Sequence, residues 1–279
     1  MTLSFSYIHM KITLSAIVLS LLLLACGDSE KSIPQQETTS EFQNEAHELV
    51  HTMAQKVGNY NKLATKKDVI YTYTYQTPDG KKDVVTEKYI FDGELSYGAY
   101  NIHERTFPEL SGLVEQGYDG NEYWLKHNEA ILEDDQLLKG VMFNRHTNFY
   151  WFTMMQKLLD DGIIYEHLGE KTINDTAYDI VKVTFDIDNK ETTDIYQLYI
   201  NKKTQLVDQF LFTVADYGVI ETPYLMILDY ETIDGLTLPT KRKYKPSTWE
   251  ADVSDAPWIM VTWSDIKFNN NLTKAMFQK

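Results

Sequence analysis

Val69-Ile70-Tyr71-Thr72-Tyr73-Thr74-Tyr75-Gln76-Thr77-Pro78-Asp79-Gly80 is the stretch that decides the fold, because it joins a strand to a tight turn. Tyr71, Tyr73 and Tyr75 alternate with threonine, so their rings share one face of the strand. The last four residues carry proline and glycine where a β-turn favours them, and residues 84–91 are predicted to form the returning strand. The stretch therefore predicts an antiparallel hairpin with an aromatic face.

The same alternation of strand and turn continues along the chain. Turn signals follow at Asp119-Gly120-Asn121, Asn174-Asp175, Asn201-Lys202-Lys203 and Asp234-Gly235. Strands are predicted at 94–102, 114–118, 122–127, 178–187, 194–200, 205–214, 223–231, 236–245 and 258–268. Turns at this spacing indicate an antiparallel meander rather than alternating βαβ units. Residues 210–214 and 224–228 are apolar on both faces, so both sides of the sheet must be covered there.

Two segments have helical spacing instead. Residues 41–57 form an amphipathic pattern behind a predicted N-cap at Ser40, and this helix is expected to stop near Gly58. Residues 149–159 form a second helix, which ends at Asp160-Asp161-Gly162. Its apolar surface is broader than one stripe against a core requires.

The N-terminal region reads as a secretory signal. An apolar run follows Lys11 and ends at Leu23-Leu24-Ala25-Cys26-Gly27, and it is shorter than the ~20 residues of a membrane-spanning helix. This ending resembles the lipobox of bacterial lipoproteins, in which the signal is cut before the cysteine and the cysteine is acylated. We therefore expect a signal peptide over 1–25, lipidated Cys26 with a polar flexible tether over 26–40, and a single folded domain over 41–279. Acylated Cys26 would hold the protein at a membrane.

Composition and motifs argue against several classes of function. The net charge of -15 excludes a nucleic-acid partner, because phosphates require a basic face. The sequence has no Gly-x-Ser-x-Gly, His-Glu-x-x-His or Gly-x-x-x-x-Gly-Lys motif. His47 and His51 lack a third metal ligand nearby, and Asp134-Asp135 is predicted to lie in a polar loop. No catalytic residue, metal or cofactor is therefore predicted.

Lys241-Arg242-Lys243-Tyr244-Lys245 is the one basic cluster. Strand alternation places the three lysines on one face and Arg242 and Tyr244 on the other. The cluster could contact a lipid head group or an acidic partner, or it could be a solvated strand face.

Three strand-and-turn segments carry a family resemblance: Tyr118-Asp119-Gly120-Asn121-Glu122-Tyr123-Trp124, Asp194-Ile195-Tyr196-Gln197-Leu198-Tyr199-Ile200, and Asp229-Tyr230 with Asp234-Gly235-Leu236-Thr237-Leu238-Pro239. With the lipobox and the two helices, they resemble the LolA/LolB-like superfamily of bacterial envelope proteins, and more narrowly an uncharacterised family of Bacteroidota lipoproteins. The resemblance implies an α+β, mainly β fold. Its strongly curved antiparallel sheet is an open half-barrel, with an N-terminal helix and a mid-chain lid helix on the concave face.

The resemblance also implies a ligand site, because the concave face of LolA-like relatives receives acyl chains. The side chains expected to line such a cavity or its lid are Tyr71, Tyr73, Tyr75, Tyr89, Phe91, Trp124, Phe149, Trp151, Phe152 and Met155. The same side chains could instead pack together as a solid core, and the sequence leaves both arrangements open.

The expected function is non-enzymatic binding of a lipid or another apolar ligand by an outer membrane lipoprotein of a Gram-negative envelope, facing the periplasm or the surface. Two alternatives stay open. One is a protein- or glycan-interaction module with a solid core and an exposed aromatic surface. The other is a hydrolase that uses acidic residues of the concave face.

Overall fold

The computed structural model describes residues 41–186 and 192–279. Cys26, the predicted signal segment, the tether and Ser40 lie outside the described residues. In the described ranges, no helix has both the length and the apolar character needed to cross a membrane.

Within the described residues, the fold consists of three α-helices and thirteen strands. The helices are α1 (Glu45–Val57), α2 (Tyr60–Ala64) and α3 (Asp135–Lys157). The strands are β1 (Asp68–Gln76), β2 (Lys82–Ile90), β3 (Leu95–His103), β4 (Val114–Tyr118), β5 (Tyr123–His127), β6 (Ala130–Leu132), β7 (Ile163–Ile173), β8 (Thr176–Phe185), β9 (Tyr196–Asn201), β10 (Val207–Val214), β11 (Val219–Ile233), β12 (Leu236–Pro246) and β13 (Ile259–Phe268). Short 3-10 helices lie at Ala215–Tyr217 and Lys274–Phe277.

All thirteen strands belong to one antiparallel sheet. Its order is β6-β5-β4-β3-β2-β1-β13-β12-β11-β10-β9-β8-β7. The chain thus forms two meanders, β1–β6 and β7–β13. They are joined where β13, which also pairs with β12, pairs with β1. The edge strands β6 and β7 are not paired with each other, so the sheet is open. The predicted mainly β, antiparallel fold is confirmed.

The predicted hairpin turns are also confirmed. Asn174 and Asp175 join β7 to β8 with positive φ angles of 47° and 63°, and Asp234 and Gly235 join β11 to β12 with 49° and 78°. Two consecutive residues with positive φ form the tight turn whose twist matches that of paired strands. Asparagine, aspartate and glycine tolerate this conformation, which is why the turn residues were legible in the sequence.

The sheet curves around α3, as two neighbouring residues of the helix show. Phe152 contacts Tyr89 on β2, with ring centroids 5.7 Å apart, whereas Trp151 contacts Tyr196 on β9 at 6.3 Å. Six strand spacings separate β2 from β9, which amounts to about 29 Å in a flat sheet. Adjacent side chains reach both strands only if the sheet is strongly curved. Since α1 shares a buried cluster with α3, both helices lie on the concave face.

The N-terminal helix begins later than predicted. α1 starts at Glu45 rather than at residue 41, because Asn44 is its cap and accepts a hydrogen bond from His47 N at 3.0 Å. Asn44 also donates Nδ2 to Tyr165 O on β7 at 2.9 Å, which fixes the start of the helix against the sheet. The predicted end at Gly58 is confirmed.

The mid-chain helix begins much earlier than predicted. α3 starts at Asp135, not at residue 149, and Asp134 caps it by accepting from Gln136 N and Leu137 N, each at 2.9 Å. Asp134-Asp135 is therefore a helix start rather than a polar loop. The first half of α3 lacks a continuous apolar stripe, because buried Arg145 occupies one position of that stripe.

Two strands were missed by sequence reasoning. β6 has only three residues, and β7 exposes Ile164 and Leu168, so the sequence of neither strand shows a regular alternation of apolar and polar residues. The bounds of the other strands differ from the predicted ones by at most four residues.

An ion pair lies inside the core beneath α3. Arg145 donates from Nη1 and Nη2 to the two carboxylate oxygens of Glu87 on β2, at 2.6 and 2.8 Å, and both side chains are fully buried. Arg145 Nε donates to Gln116 Oε1 at 3.2 Å, and Asn148 Nδ2 donates to Glu87 Oε1 at 3.1 Å. Gly98 lies beside the guanidinium, where a Cβ atom would come within 2.8 Å of Nη1. Glycine is therefore needed there to admit the arginine.

The convex face of β8–β11 is covered by the segment between β12 and β13. Leu211 and Leu225 are buried in a cluster against which Trp249 and Trp258 pack. Lys243 Nζ lies over the Trp258 ring at 5.0 Å, on the same side. The chain therefore supplies its own cover for the strands that are apolar on both faces.

Candidate functional site

A cavity of about 410 Å³ lies between α3 and the concave face of the sheet. Its walls come from α3, from the central strands β1, β13 and β12, and from β9, β10 and β11. The volume falls in the roughly 300–1,000 Å³ range of small-molecule sites. It has room for one ligand of moderate size.

Ten of the 23 residues that line the cavity carry aromatic rings. They are Tyr73, Tyr75, Phe143, Tyr150, Trp151, Phe185, Tyr196, Phe212, Tyr217 and Tyr244. Strand register explains part of this convergence, because Tyr75 pairs with Val261 and Val261 pairs with Arg242. Side chains opposite one another in adjacent strands point to the same face. Tyr75, Val261 and Arg242 therefore lie side by side on the floor of the cavity.

The cavity runs from the surface into the interior. His146 and Tyr217 are exposed and lie at its outer end, where Tyr217 packs edge-on against Phe143 at 4.7 Å. Arg242 and Val261 are buried and lie at its inner end. A ligand that enters past Tyr217 therefore reaches Arg242.

Arg242 is a buried cation without an anionic partner in the described part of the chain. Its side chain is 5% exposed and its Nε has no hydrogen-bond acceptor. The guanidinium lies over the ring of Trp263 at 4.1 Å and faces Trp151 at 5.9 Å. Burial lowers the pKa of this guanidinium, although an arginine keeps its charge at neutral pH.

The aromatic contacts only partly compensate for burying this charge. Cation–π contacts contribute about 0.5–2 kcal/mol, whereas removing an ion from water costs several kcal/mol even after relaxation. Arg105, the other arginine of the cavity, differs because its Nε lies 3.2 Å from Asp83 Oδ2. Arg242 therefore differs from Arg105 in having no paired carboxylate among the described residues, while Asp194 and Asp216 also line the cavity.

Tyr73 and Tyr244, which lie beside Arg242, carry their protons. Tyr75 Oη and Tyr244 Oη share a hydrogen bond of 2.5 Å, and burial raises the pKa of Tyr73 and Tyr244 above its usual value. Neutral hydroxyl groups can donate to an anion or accept from a polar ligand. The inner end of the cavity thus combines one cation with uncharged hydroxyls.

Burial of so many tyrosines predicts a loss of stability in alkali. Burial raises the pKa of Tyr71, Tyr89, Tyr100 and Tyr196, whereas in the unfolded chain these groups lose protons near pH 10. The folded state then binds more protons than the unfolded state, so stability is complete below pH 10 and decreases above it. The slope is about 1.4 kcal/mol per pH unit for each such tyrosine.

We therefore expect alkaline unfolding and tyrosinate absorbance to rise together between pH 10 and 12. Far-UV circular dichroism and absorbance of the tyrosinate band, recorded on the same samples, would measure both. Complete ionisation of the tyrosines in a protein with unchanged circular dichroism would contradict this prediction.

The structure separates the predicted site residues into two groups. Tyr73, Tyr75 and Trp151 line the cavity. Residues packed in the buried clusters around α3 are Tyr71, Tyr89, Phe91, Phe149, Phe152 and Met155. Trp124 is also buried and donates Nε1 to Phe277 O at 2.7 Å. Cys26 lies outside the described residues.

Sequence reasoning missed the inner end of the site. Arg242 and Tyr244 line the cavity, while Lys243 and Lys245 lie over Trp258 on the opposite face, so the alternation predicted for this strand is confirmed. That alternation already placed Arg242 on the face of the strand opposite the lysines. What the sequence did not indicate was that the arginine face is the buried one.

No arrangement for metal chemistry is found in the described ranges, where no group of three or more His, Cys, Asp or Glu side chains could hold a metal ion. Asp194 lines the cavity, and it accepts a hydrogen bond from Ala215 N at 2.7 Å. This carboxylate therefore anchors the backbone of the turn after β10.

One family model and several solved structures are similar to this chain. A family of unknown function, DUF6503, matches residues 121–222. No curated protein matches the chain. Among solved structures, a LolA superfamily protein from Nitrosomonas europaea is 14% identical with a TM-score of 0.48, over 84% of this chain and 97% of that one.

Two further structures are similar to this chain. A DUF1329 family protein from Desulfovibrio piger is 15% identical with a TM-score of 0.48, over 83% of this chain and 95% of the other. A domain from Vibrio parahaemolyticus, named for outer membrane lipoprotein sorting, is 8% identical with a TM-score of 0.45, over the same shares. The first of these structures belongs to the superfamily that the sequence resembles, and at these identities the likeness concerns the fold alone.

Proposed function

We propose that this protein is a lipid-anchored envelope protein that binds one lipid or other apolar ligand in the cavity between α3 and the sheet, without catalysing a reaction. The observation that carries the proposal is the cavity itself. Ten of its 23 lining residues are aromatic, its volume suits one small ligand, and its outer end reaches the surface beside Tyr217. Membrane attachment through Cys26 remains part of the proposal, on the evidence of the lipobox.

The aromatic part of the wall favours a ligand with an apolar portion. Trp151 illustrates this, because its ring packs against Tyr196, Phe210 and Phe212 at 5.3 to 6.3 Å and so presents a continuous apolar surface. Water in contact with such a surface is released when an apolar ligand enters. The solid core that the interaction-module alternative requires is interrupted at this place.

Filling the cavity is expected to abolish ligand binding. Val261 lies on the cavity floor and is 3% exposed, so a larger side chain at this position would occupy the space. The protein comprising residues 41–279, titrated with the neutral fluorophore N-phenyl-1-naphthylamine, should bind one molecule per chain in a saturable manner. Val261→Trp, and the milder Val261→Phe, should lower the affinity at least tenfold.

Val253→Trp is the matched control, because Val253 is 42% exposed in the segment between β12 and β13. This variant should bind the probe as the unchanged protein does, and circular dichroism checks that all variants are folded. If the unchanged protein shows no saturable binding, or if Val261→Trp is folded and binds normally, the cavity is not a ligand site. That result would favour the interaction-module alternative.

A further inference from the structure

We infer that the ligand of this cavity is a single-chain amphiphile with an anionic head group, a carboxylate or a phosphate ester, which pairs with Arg242 at the inner end. This inference rests on the proposed function and adds the chemical class of the ligand. The head group lies inward and the apolar chain extends along Trp151 and Phe212 towards Tyr217.

Arg242 lacks a counter-ion among the residues that the structure describes. The residue is 5% exposed and its Nε lacks an acceptor. A buried charge is normally paired, and a planar guanidinium matches the geometry of a carboxylate or phosphate through two parallel hydrogen bonds. The partner that the chain does not supply is therefore assigned to the ligand.

The other two buried cations of the described residues both have acceptors. Arg145 is paired with Glu87, and the ammonium group of Lys245 is held by the carbonyl oxygens of Ser254 and Ala256 at 2.7 and 3.1 Å. The fold thus provides acceptors for other buried cations. Arg242 differs from them in that it faces the cavity.

Hydroxyl groups and aromatic rings surround the guanidinium of Arg242. Tyr73, Tyr75 and Tyr244 place neutral hydroxyl groups near the guanidinium, and the cavity beyond them is walled by rings. Hydroxyls can complete the hydrogen bonding of an oxyanion, and the rings can cover a hydrocarbon chain. A small inorganic anion would leave the aromatic part of the cavity unfilled, and a neutral apolar ligand would leave the cation unpaired.

The test compares ligands that share a chain and differ in charge. The protein comprising residues 41–279 is loaded with N-phenyl-1-naphthylamine, and the probe is displaced by dodecanoate, dodecyl phosphate, 1-dodecanol or dodecyltrimethylammonium, each below its micelle concentration. Sodium acetate and inorganic phosphate serve as anions without a chain. Dodecanoate and dodecyl phosphate should displace the probe at concentrations at least tenfold lower than 1-dodecanol, and the two small anions should not displace it.

Arg242→Met should remove this preference while probe binding and displacement by 1-dodecanol persist. Its thermal stability without ligand should equal or exceed that of the unchanged protein, because replacing an unpaired buried charge with an apolar side chain relieves a desolvation penalty. Lys243→Met removes a positive charge from the opposite face of the same strand, and it should keep the preference.

The outcomes test the anionic head group and the apolar ligand site separately. Equal displacement by dodecanoate and 1-dodecanol, or a preference that survives in Arg242→Met, would overturn the anionic head group and leave the apolar site standing. Displacement by acetate or phosphate alone would replace the amphiphile with a small anion. Absence of saturable probe binding in the unchanged protein would remove the proposed function itself.

Discussion

Arg145→Met is expected to lower the free energy of unfolding by about 3–5 kcal/mol, because it leaves the carboxylate of Glu87 buried without a counter-charge. Asn148 would be the remaining side chain that donates to Glu87. One such donor does not replace a bidentate guanidinium. Urea unfolding followed by circular dichroism measures the change, and a loss of this size is a large part of the typical 5–15 kcal/mol stability of a domain.

The double variant Arg145→Met, Glu87→Met is the informative companion. Because an apolar pair of similar volume replaces both charges, the double variant is expected to be more stable than Arg145→Met alone. Gln116 loses its contact with Arg145 Nε, so recovery should be incomplete. Lys274→Met, which breaks an exposed pair with Asp92, should have no measurable effect. A small loss in Arg145→Met would mean that the pair is hydrated and not buried.

Phe152→Ala is expected to lower the free energy of unfolding by about 3–5 kcal/mol, the usual range for removing a large buried aromatic side chain. Phe152 is 2% exposed, and its ring lies 5.0 Å from that of Tyr71 and 5.1 Å from that of Trp263. The substitution opens a void where α3 meets β1, β2 and β13. Thermal and urea unfolding would measure the loss.

Met142→Ala is the control for this prediction, since Met142 lies on the same helix and is 50% exposed. Its effect should stay within about 0.5 kcal/mol. If Phe152→Ala loses little stability and instead changes probe binding, Phe152 belongs to the ligand site, as the sequence predicted. The experiment therefore decides between a core and a lid role for this residue.

Local patterns made most of the sheet predictable. Tyr71, Tyr73 and Tyr75 alternate with threonine, and the residues of the tight turns tolerate positive φ, so strands and hairpins could be placed from short segments. The start of α3 could not be placed in this way. Arg145 takes an inward position that pattern analysis expects to be apolar, and its partner Glu87 lies 58 residues away in the chain.

The division between core and cavity was beyond the sequence for a related reason. Tyr71 and Tyr75 belong to the same tyrosine ladder, yet Phe152 packs against Tyr71 while the space beside Tyr75 stays open. The position of α3 along the curved sheet determines which of these tyrosines it covers. That placement depends on contacts between distant segments, and so does the burial of Arg242.

The position of β13 between the two meanders has a consequence for how the chain folds. β13 pairs with β1, the first strand, and Asn270 N just beyond it donates to Asp68 Oδ1 at a sequence separation of 202 residues. Each meander can form from local contacts, but the sheet is continuous only after this most distant pairing. Closing such a large loop is entropically unfavourable and slows folding. We therefore expect the pairing of β1 with β13 to form late and to join the two halves of the sheet cooperatively. Until it forms, the concave face lacks part of its wall.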